Sequence, residues 1–375
     1  MIQRVLENVL KSHIGLKKAI ILIGPHQVGK TTLLTALASK LLDNKVLVLN
    51  CDEPDIRKLL SEKTSTELRT LIGNSSVVII DEAQRVKNIG LSLKLITDQI
   101  KSVQLIVSGS SALELANEIN EPLTGRKWEF LMFPLSVKEM KDYHGEMEER
   151  RMLHNRLIYG MYPDVINNPG REKEVLKNLT DSYLYKDIFS FKDVRKPEII
   201  EKLLQALSLQ VGSEVSFNEL ADLVKSDPLT VSRYIELPEK TFVVFRLPSF
   251  SRNLRNELKK SRKIFFYDNG VRNAIIANFQ PLELRKDVGS LWENYLMSER
   301  LKFNSYQTVI ANRFFWRTKQ QQEIDYIEER DGKIFAFEFK WGQYKNIKPS
   351  ATFAKAYPEN EFAVVHPDNY FSFLS

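Results

Sequence analysis

The sequence predicts an α/β fold built on a parallel sheet, and two observations lead to this prediction. From residue 18 to about residue 135, short apolar runs rich in branched residues alternate with segments of helical periodicity, a pattern typical of a parallel sheet covered by helices. Beyond residue 320, two extended runs are joined by a tight turn, which predicts a second, smaller α/β part. With 375 residues, 43% of them hydrophobic, the chain is long enough for two to three domains with cores of their own.

The first predicted strand, Lys18–Ile23, is joined to a predicted helix, Thr31–Leu42, by a loop with the spacing G-x-x-x-x-G-K-[ST]. The loop and its continuation comprise Gly24, Pro25, His26, Gln27, Val28, Gly29, Lys30, Thr31 and Thr32. The backbone amides of such a loop and the start of the following helix surround phosphate groups. We expect Lys30 to neutralise β- and γ-phosphate charge and the Thr31 hydroxyl to ligate Mg²⁺. The loop therefore predicts binding of ATP with Mg²⁺.

A second β-branched run, Val77–Ile80, ends in Asp81 and Glu82. Ligands of open α/β sheets bind at the carboxyl ends of the strands, where these two carboxylates would lie. We expect Asp81 to hold Mg²⁺ and Glu82 to orient or deprotonate the attacking water. Residues 1–135 are therefore predicted to form a P-loop ATPase domain, with Lys30 and Glu82 as its catalytic residues.

Two further polar features adjoin the later strands of this sheet. The run Gln104–Val107 predicts a fourth strand, and Ser108 or Ser110 after it is placed to contact the γ-phosphate, unless the serines only form a turn. Arg126 precedes a predicted fifth strand, Trp128–Leu131, and is a candidate phosphate-binding arginine in its own subunit or in a neighbour's. The alternative for Arg126 is a solvated loop arginine.

Composition and charge restrict the cellular setting and the partners. No apolar run reaches the roughly 18 residues of a membrane helix, and the first residues have the spacing of an amphipathic helix rather than of a signal peptide. We therefore expect a cytoplasmic protein with no membrane partner. The single cysteine, Cys51, excludes an internal disulfide. The formal net charge of +6 and the pI near 9.0 favour a polyanionic partner such as nucleic acid.

The middle of the chain changes character twice. Residues 136–195 are aromatic and charged with helical periodicity, and they are predicted to form a helical lid and connector. Residues 196–280 predict a winged helix, because three short helices precede two strands; the second helix begins at Ser216 with a capping box and the third at Asp227. Pro238 has no amide hydrogen, so we expect the third helix to end or kink there.

A basic segment lies between the two predicted strands of the winged helix. Seven basic residues accompany one acid, Glu257, and they are Arg246, Arg252, Arg255, Lys259, Lys260, Arg262 and Lys263. Such a wing is expected to contact the phosphate backbone of DNA. The alternative is a packing module with a solvated charged face.

The last part of the chain contains a strong hairpin signal, Asp331-Gly332, between two extended runs. If the residues that flank this dipeptide pair with each other, Asp325 faces Glu338 across the hairpin and Lys340 lies on the same side. The opposite side is expected to face the core and carries Ile324, Tyr326, Phe335, Phe337 and Phe339.

The facing carboxylates Asp325 and Glu338 predict a second metal site. Two carboxylates directly opposite each other destabilise a sheet unless a positive charge lies between them. A divalent metal would supply it, with Lys340 stabilising developing charge. An Asp followed by Glu-x-Lys on adjacent strands is the metal site of the PD-(D/E)XK nuclease fold, to which a preceding helix often adds a glutamate, here Glu293. The alternatives are a salt-bridged surface hairpin and, for Glu293, a capping or surface glutamate.

The chain resembles the bacterial and archaeal P-loop ATPases of the AAA superclass whose C-terminal half is an uncharacterised restriction-endonuclease-like domain. The matching stretches are Gly24–Thr32, Ile80–Gln84, Ser108–Ser110, Gly125–Arg126, Pro134–Ser136, Gly160–Pro163, Tyr267–Gly270, Gly289–Asn294, Phe315–Arg317, Glu323–Asp325 and Glu338–Lys340. The resemblance implies an ATPase core, a winged helix and, in residues 281–375, a small α/β nuclease-like domain. His26 departs from the pattern, because the relatives often have Arg at this position.

Together these patterns predict an ATP-binding, Mg²⁺-dependent ATPase whose nucleotide state controls a nucleic-acid-facing C-terminal half. In one interpretation this half is a metal-dependent DNA nuclease with Asp325, Glu338 and Lys340 as catalytic residues. In the other, an inert tail serves as a DNA- or protein-interaction module. We expect hydrolysis to be slow alone and to be stimulated when a protein partner or a second subunit supplies a missing arginine.

Overall fold

The structure is a computed structural model, and it describes residues 2–41, 45–109, 119, 121–181, 185–189, 194, 196–250, 262–342 and 347–374. The chain divides into two compact units, Met1–Phe133 and Pro134–Ser375. The predicted domain boundaries, at residues 135, 195 and 280, remain predictions. Across the described residues, every helix is too short or too polar to cross a membrane.

The first unit is built on a five-stranded parallel sheet with the strand order β2-β3-β4-β1-β5. Its strands are β1 Ala19–Ile23, β2 Val46–Asn50, β3 Val77–Asp81, β4 Gln104–Gly109 and β5 Lys127–Leu131. Every residue of β1, β3 and β4 is buried, which explains why these strands are nearly continuous apolar runs. The predicted α/β fold with a parallel sheet is confirmed.

Helices cover this sheet, and local sequence signals mark several of their ends. They are α1 Val5–His13, α2 Lys30–Lys40, α3 Pro54–Leu60, α4 Ser65–Ile72 and α5 Ile89–Gln99. A capping box at Thr64 begins α4, and Pro54 occupies the first turn of α3, where its missing amide hydrogen has no cost. Because β1 and β3 are parallel strands of one sheet, the loop after β1 and the end of β3 both lie at the carboxyl ends of the strands.

The second unit begins with a run of short helices where the lid and connector were predicted. They are α6 Val137–His144, α7 Glu146–Arg151, α8 Leu153–Tyr159, α9 Pro163–Asn167, α10 Glu172–Leu179 and α11 Tyr185–Phe189. A capping box at Ser136 begins α6, and the buried Glu299 carboxylate accepts a 2.7 Å hydrogen bond from the Val137 amide.

Three helices and a small antiparallel sheet follow. The helices are α12 Pro197–Leu209, α13 Phe217–Val224 and α14 Pro228–Lys240, and the strands are β6 Glu214–Val215, β7 Val244–Pro248 and β8 Arg262–Phe266, in the order β6-β8-β7. The helix α14 does not end at Pro238, as one expectation had it, and continues to Lys240. Its carboxyl end is closed by Thr241, whose amide donates to the Leu237 carbonyl at 3.0 Å.

The remaining elements surround a four-stranded sheet with the order β12-β11-β10-β9. They are α15 Asn269–Ile275, α16 Val288–Tyr306, β9 Asn312–Arg317, β10 Glu323–Arg330, β11 Lys333–Phe339, α17 Ala351–Ala356, β12 Asn360–Val365 and α18 Tyr370–Phe373. The antiparallel pairing of β10 with β11 runs from Arg330 opposite Lys333 to Tyr326 opposite Phe337, so the predicted hairpin register is confirmed.

One residue of the hairpin lies on the other face from the one predicted. Ile324 packs in a core cluster with Ile327, Ile334 and Ala336, whereas Tyr326 stacks with phenylalanines of β11. The pairing of β10 with β9 shifts register between Ile324 and Ile327, and such an irregularity interrupts the alternation of side chains. Both faces of the sheet are therefore covered.

Candidate ATP site and carboxylate cluster

The phosphate loop joins β1 to α2 as predicted. Gln27 and Gly29 adopt left-handed backbone conformations, with φ of 62° and 92°, and α2 then begins at Lys30. Lys30 is only 5% exposed, and its ammonium donates to the carbonyls of Gly24 at 2.9 Å and Pro25 at 3.0 Å. The loop thus wraps around its own cation, which is the arrangement expected of a phosphate-binding loop.

The base of the loop packs against the chain that follows β5. A Cβ atom on Gly24 would lie 2.2 Å from the Met132 carbonyl oxygen, so this position requires glycine. Val28 is fully buried, His26 is half-buried, and Gln27 and Thr32 are exposed. The predicted loop residues therefore divide into a buried base and an open rim.

Arg4 also supports the loop, and sequence analysis missed it. Its guanidinium donates to the Val28 carbonyl at 2.6 Å and to the Phe133 carbonyl at 2.7 Å, and so ties the loop to the chain after β5. No motif marks Arg4. Arg4 precedes the amphipathic first helix, and this position alone does not predict that its side chain contacts the phosphate loop.

Asp81 lies at the carboxyl end of β3 and contacts the loop directly. Its carboxylate accepts a 2.6 Å hydrogen bond from the Thr31 hydroxyl and a short one from the Ser108 hydroxyl. Ser108 is fully buried, and its oxygen also accepts from the Glu82 amide at 3.3 Å. Ser108 thus fixes the acidic strand end in this structure, whereas the other candidate sensor, Ser110, lies outside the described residues.

Glu82 has a distinctive backbone and side-chain environment. Its φ is 52°, a left-handed conformation that is uncommon outside glycine and that often marks functional sites. The Gln84 side-chain amide donates to its carboxylate at 2.6 Å. The sequence did not single out Gln84 as the residue that orients Glu82.

The structure places Arg126 away from the loop. Its carbonyl accepts from the amide of Ala19, the first residue of β1, whereas the phosphate loop follows the last residue of that strand. The guanidinium donates to Asp98 at 2.7 Å. Since β1 and β5 are parallel, Arg126 lies at the opposite edge of the sheet, and a phosphate contact within its own subunit is not compatible with this geometry.

The second predicted site is a group of four carboxylates in the second unit, here called the carboxylate cluster: Glu293 of α16, Glu323 and Asp325 of β10, and Glu338 of β11. The Asp325 carboxylate accepts a 2.7 Å hydrogen bond from the Phe339 amide. Burial raises the pKa of Asp325 well above its usual range, and the nearby Glu293 and Glu338 raise it further. The carboxylates predicted to meet therefore lie close together.

Two lysines neutralise part of this charge. The Lys263 ammonium lies 2.9 Å from Glu293 and 2.5 Å from Glu323, and the Lys340 ammonium lies 2.7 Å from Glu338. Lys263 is only 2% exposed, so it does not belong to a DNA-facing wing as the basic segment had suggested. Lys340 was expected beside the carboxylates and is found there.

The side chains of the cluster are not arranged as a set of metal ligands. Within the part of the chain that the structure describes, no three histidine, cysteine or carboxylate side chains are gathered around a common point as metal ligands. The predicted ligand set of Glu293, Asp325 and Glu338 therefore has the oxygen donors that a hard divalent cation prefers without the arrangement. Positive charge reaches the cluster from Lys263, beside Glu293 and Glu323, and from Lys340, beside Glu338.

Two of the other basic residues of this segment, Arg246 and Arg262, lie among the described residues. Arg246 of β7 forms an ion pair with Glu239, with 2.8 Å between Nε and Oε1, and Arg262 is half-buried. Arg252, Arg255, Lys259 and Lys260 lie outside the described residues, as does the one acid of the segment, Glu257.

Comparisons with known proteins agree with the geometry of the first unit. Residues 16–141 match the family model described as an AAA domain, and this part of the chain is an AAA-type P-loop ATPase domain. Residues 150–282 and 288–372 match two domains of unknown function, DUF8612 and DUF4143.

The related proteins do not have assigned functions. The uncharacterized protein Rv2008c of Mycobacterium tuberculosis is 23% identical over 326 residues, which are 86% of this chain and 70% of that protein. The uncharacterized protein MJ1544 of Methanocaldococcus jannaschii is 23% identical over 330 residues, 83% of this chain and 72% of that protein.

Two solved structures are similar to parts of this chain. The Walker-type ATPase PABY2304 of Pyrococcus abyssi has a TM-score of 0.49 and 17% identity, over 74% of this chain and 96% of that chain. A structure of Drosophila ORC bound to AT-rich DNA and Cdc6 has a TM-score of 0.25 and 13% identity, over 72% of this chain and 90% of that chain.

Proposed function

We propose that the chain is a Mg²⁺-dependent ATPase. The observation that carries this proposal is the contact between the two motifs: the Thr31 hydroxyl and the Asp81 carboxylate are hydrogen-bonded beside the loop that encloses Lys30. One hydroxyl and one carboxylate at a phosphate loop are the protein groups that hold Mg²⁺ in P-loop enzymes. Thr31 and Asp81 would hold Mg²⁺, which would supply positive charge to offset that of the phosphates.

The chain's own residues then have separate tasks. Lys30 and the loop amides bind the phosphates and favour the negative charge of the transition state. Glu82 accepts a hydrogen bond from, or takes the proton of, the attacking water, while Gln84 and Ser108 hold Glu82 in place. We propose that turnover is slow until an arginine arrives from outside, and Arg126 of a neighbouring copy is the candidate because it lies remote from its own loop.

The ATPase proposal is tested by separating binding from hydrolysis. Glu82→Gln is expected to bind ATP as tightly as the wild type and to hydrolyse it about a hundredfold more slowly or worse, because only the water-activating group changes. Lys30→Ala is expected to lose ATP binding. Lys40→Ala is the matched control, since Lys40 is an exposed lysine on the same helix whose ammonium pairs with Glu7 rather than with the loop. Equal turnover in Glu82→Gln and wild type would contradict the assigned role.

We further propose that the C-terminal half faces nucleic acid, most simply DNA, in a cytoplasmic protein that can assemble into oligomers. The order of helices and strands from α12 to β8, with the strand order β6-β8-β7, supports a winged helix. Asp227 caps α14 through a 2.9 Å hydrogen bond from the Thr230 amide. The first exposed residues of α14 would be the base-reading surface in such a module.

A second candidate function, DNA cleavage by the C-terminal part, is favoured by one observation: Glu338 and Glu293 lie near enough to Asp325 for their charges to raise its pKa. The competing candidate is a tail that only binds DNA or protein, and the ion pairs of Lys263 and Lys340 favour it.

Cleavage of duplex, branched and single-stranded DNA, with Mg²⁺ or Mn²⁺ and with or without ATP, distinguishes the two candidates. Cutting that disappears in Asp325→Ala and Lys340→Ala while ATP turnover persists would establish the nuclease. A protein that cuts none of these substrates would be an ATP-driven interaction module.

A further inference from the structure

Lys263 links two parts of the second unit through one buried ammonium. It is the second residue of β8, the central strand of the three-stranded sheet, whereas its partners Glu293 and Glu323 belong to α16 and β10. Its side chain is 3% exposed, so the charge is almost fully removed from water. A buried ammonium is retained only where carboxylates compensate for its lost hydration.

The site around Lys263 is closely packed. Gly212 has a φ of +76°, and a Cβ atom there would lie 2.9 Å from the Glu293 carboxylate. The Gly212 amide donates to the Ile264 carbonyl of β8 at 3.3 Å. Glu293 thus has the Gly212 backbone on one side and the Lys263 ammonium on the other.

The charges in the cluster are unequal. Four carboxylates face two ammonium groups, those of Lys263 and Lys340. A divalent cation would supply more positive charge than the Lys263 ammonium. The two cannot contact the same carboxylate oxygens at once, because two positive charges so close together repel strongly in a poorly hydrated site.

We propose that Lys263 is a built-in cation that competes with a divalent metal for the carboxylate cluster, so that metal enters only when Lys263 leaves. This inference rests on the second candidate function, in which the cluster binds metal at all. The position of Lys263 on β8 makes the metal affinity of the cluster depend on the sheet of the proposed winged helix. A displacement of β8 would withdraw the Lys263 ammonium and leave the carboxylates free to bind metal. While β8 stays in place, the ammonium remains among the carboxylates.

The test measures Mn²⁺ binding to the nucleotide-free full chain. Binding is quantified by the decrease of the free Mn²⁺ signal in electron paramagnetic resonance. Lys263→Met is expected to bind Mn²⁺ at least about tenfold more tightly than the wild type, a change of about 1.4 kcal/mol. Lys263→Arg keeps the charge and is expected to show no gain. The double variant Lys263→Met with Asp325→Asn is expected to lose the gain, while Mn²⁺ bound elsewhere stays common to all variants.

A labelling experiment needs no substitution and so remains informative if Lys263→Met fails to fold. Acetylation of lysines, quantified by mass spectrometry, is expected to increase at Lys263 when Mn²⁺ is added. Lys302 is the matched control, since it is also buried and pairs with Glu299 in the second unit, away from the cluster. Unchanged labelling of Lys263 in saturating Mn²⁺ would overturn the competition.

The outcomes separate this inference from the functions on which it rests. If wild type and Lys263→Met bind Mn²⁺ equally, and Asp325→Asn abolishes that binding, the metal site stands and the competition is wrong. If neither protein shows Mn²⁺ binding that depends on Asp325, both the competition and the nuclease candidate fall, and the ATPase of the first unit is unaffected.

Discussion

Asp268 is a buried carboxyl on which two motifs of the second unit meet. It is 3% exposed, and it accepts hydrogen bonds from the Met161 amide at 2.7 Å and the Val271 amide at 3.0 Å. Burial raises the pKa of Asp268, whereas the charge of Lys302 and these amides lower it. The stretches Gly160–Pro163 and Tyr267–Gly270 therefore have a structural explanation, because each supplies one side of this contact.

Gly160 gives the sharpest test of the contact around Asp268. Its φ is +72°, and a Cβ atom there would lie 2.0 Å from the Asp268 carboxylate. Gly160→Ala is expected to cost about 3 kcal/mol or more, because overpacking adds to backbone strain. Gly170→Ala is the control, since Gly170 also has a positive φ, +86°, but a Cβ atom there would meet no atom of the described residues within 4 Å. Urea denaturation measures both, and equal losses would contradict a role for the carboxylate contact.

At the scale of single elements, the last turn of α14 couples to β7 through Glu239 and Arg246. The helix passes through Pro238, and Glu239 follows it with its carboxylate 2.8 Å from the Arg246 guanidinium. Burial raises the pKa of Glu239 to about 7, even though the charge of Arg246 opposes the shift. This part of the proposed winged helix therefore contains a carboxyl that titrates near neutral pH.

The raised pKa of Glu239 predicts a pH dependence with a definite sign. An unfolded glutamate has a pKa of about 4.3, so the folded chain holds this proton more tightly between about pH 4 and pH 7. The contribution to stability is complete below that range and is lost as the pH rises through about 7. Between pH 5 and pH 8, the wild type is expected to lose more unfolding free energy than Glu239→Gln, as measured by urea denaturation. The same loss in both proteins would refute the shift.

Elements that depend on local signals could be predicted from the sequence. The strands of the first sheet are continuous apolar runs, and Asp331-Gly332 sets the hairpin register through the turn alone. Ile324 was misplaced because the irregularity in β10 depends on pairing with β9, which the hairpin pattern does not contain. Of the two outcomes expected at Pro238, an end or a kink, the end is wrong, because the proline removes only one hydrogen bond close to the end of α14.

In the candidate sites, the contacts that the sequence did not predict are mainly those between residues far apart along the chain. Lys263 counted as a surface charge in a basic run, yet its partners lie 30 and 60 positions further along the chain. Arg4 reaches Val28 and Phe133, which lie 24 and 129 positions further along the chain. Arg126 was different, because its place before a parallel strand already implied the amino edge of the sheet, opposite the loop.

At the scale of the whole molecule, the chain combines a unit with a proposed ATPase site and a second unit that carries the proposed DNA-binding surface. If nucleotide state controls the second unit, ATP and DNA must influence each other's binding, since coupling between two ligands is reciprocal. A nucleotide-controlled switch therefore requires that the DNA affinity depend on the bound nucleotide. Two independent activities on one chain do not require this dependence.

This coupling is the prediction that decides whether the two units act together. The Kd for DNA is expected to differ at least about fivefold between the protein saturated with a non-hydrolysable ATP analogue and the protein saturated with ADP. DNA must then shift the ratio of the analogue and ADP affinities by the same factor, which provides an internal check. Lys30→Ala, which lacks the phosphate-binding ammonium, is expected to show one DNA affinity under all conditions. Equal DNA affinities in the two nucleotide states of the wild type would leave an ATPase and a DNA-binding unit on one chain, with no control of one by the other.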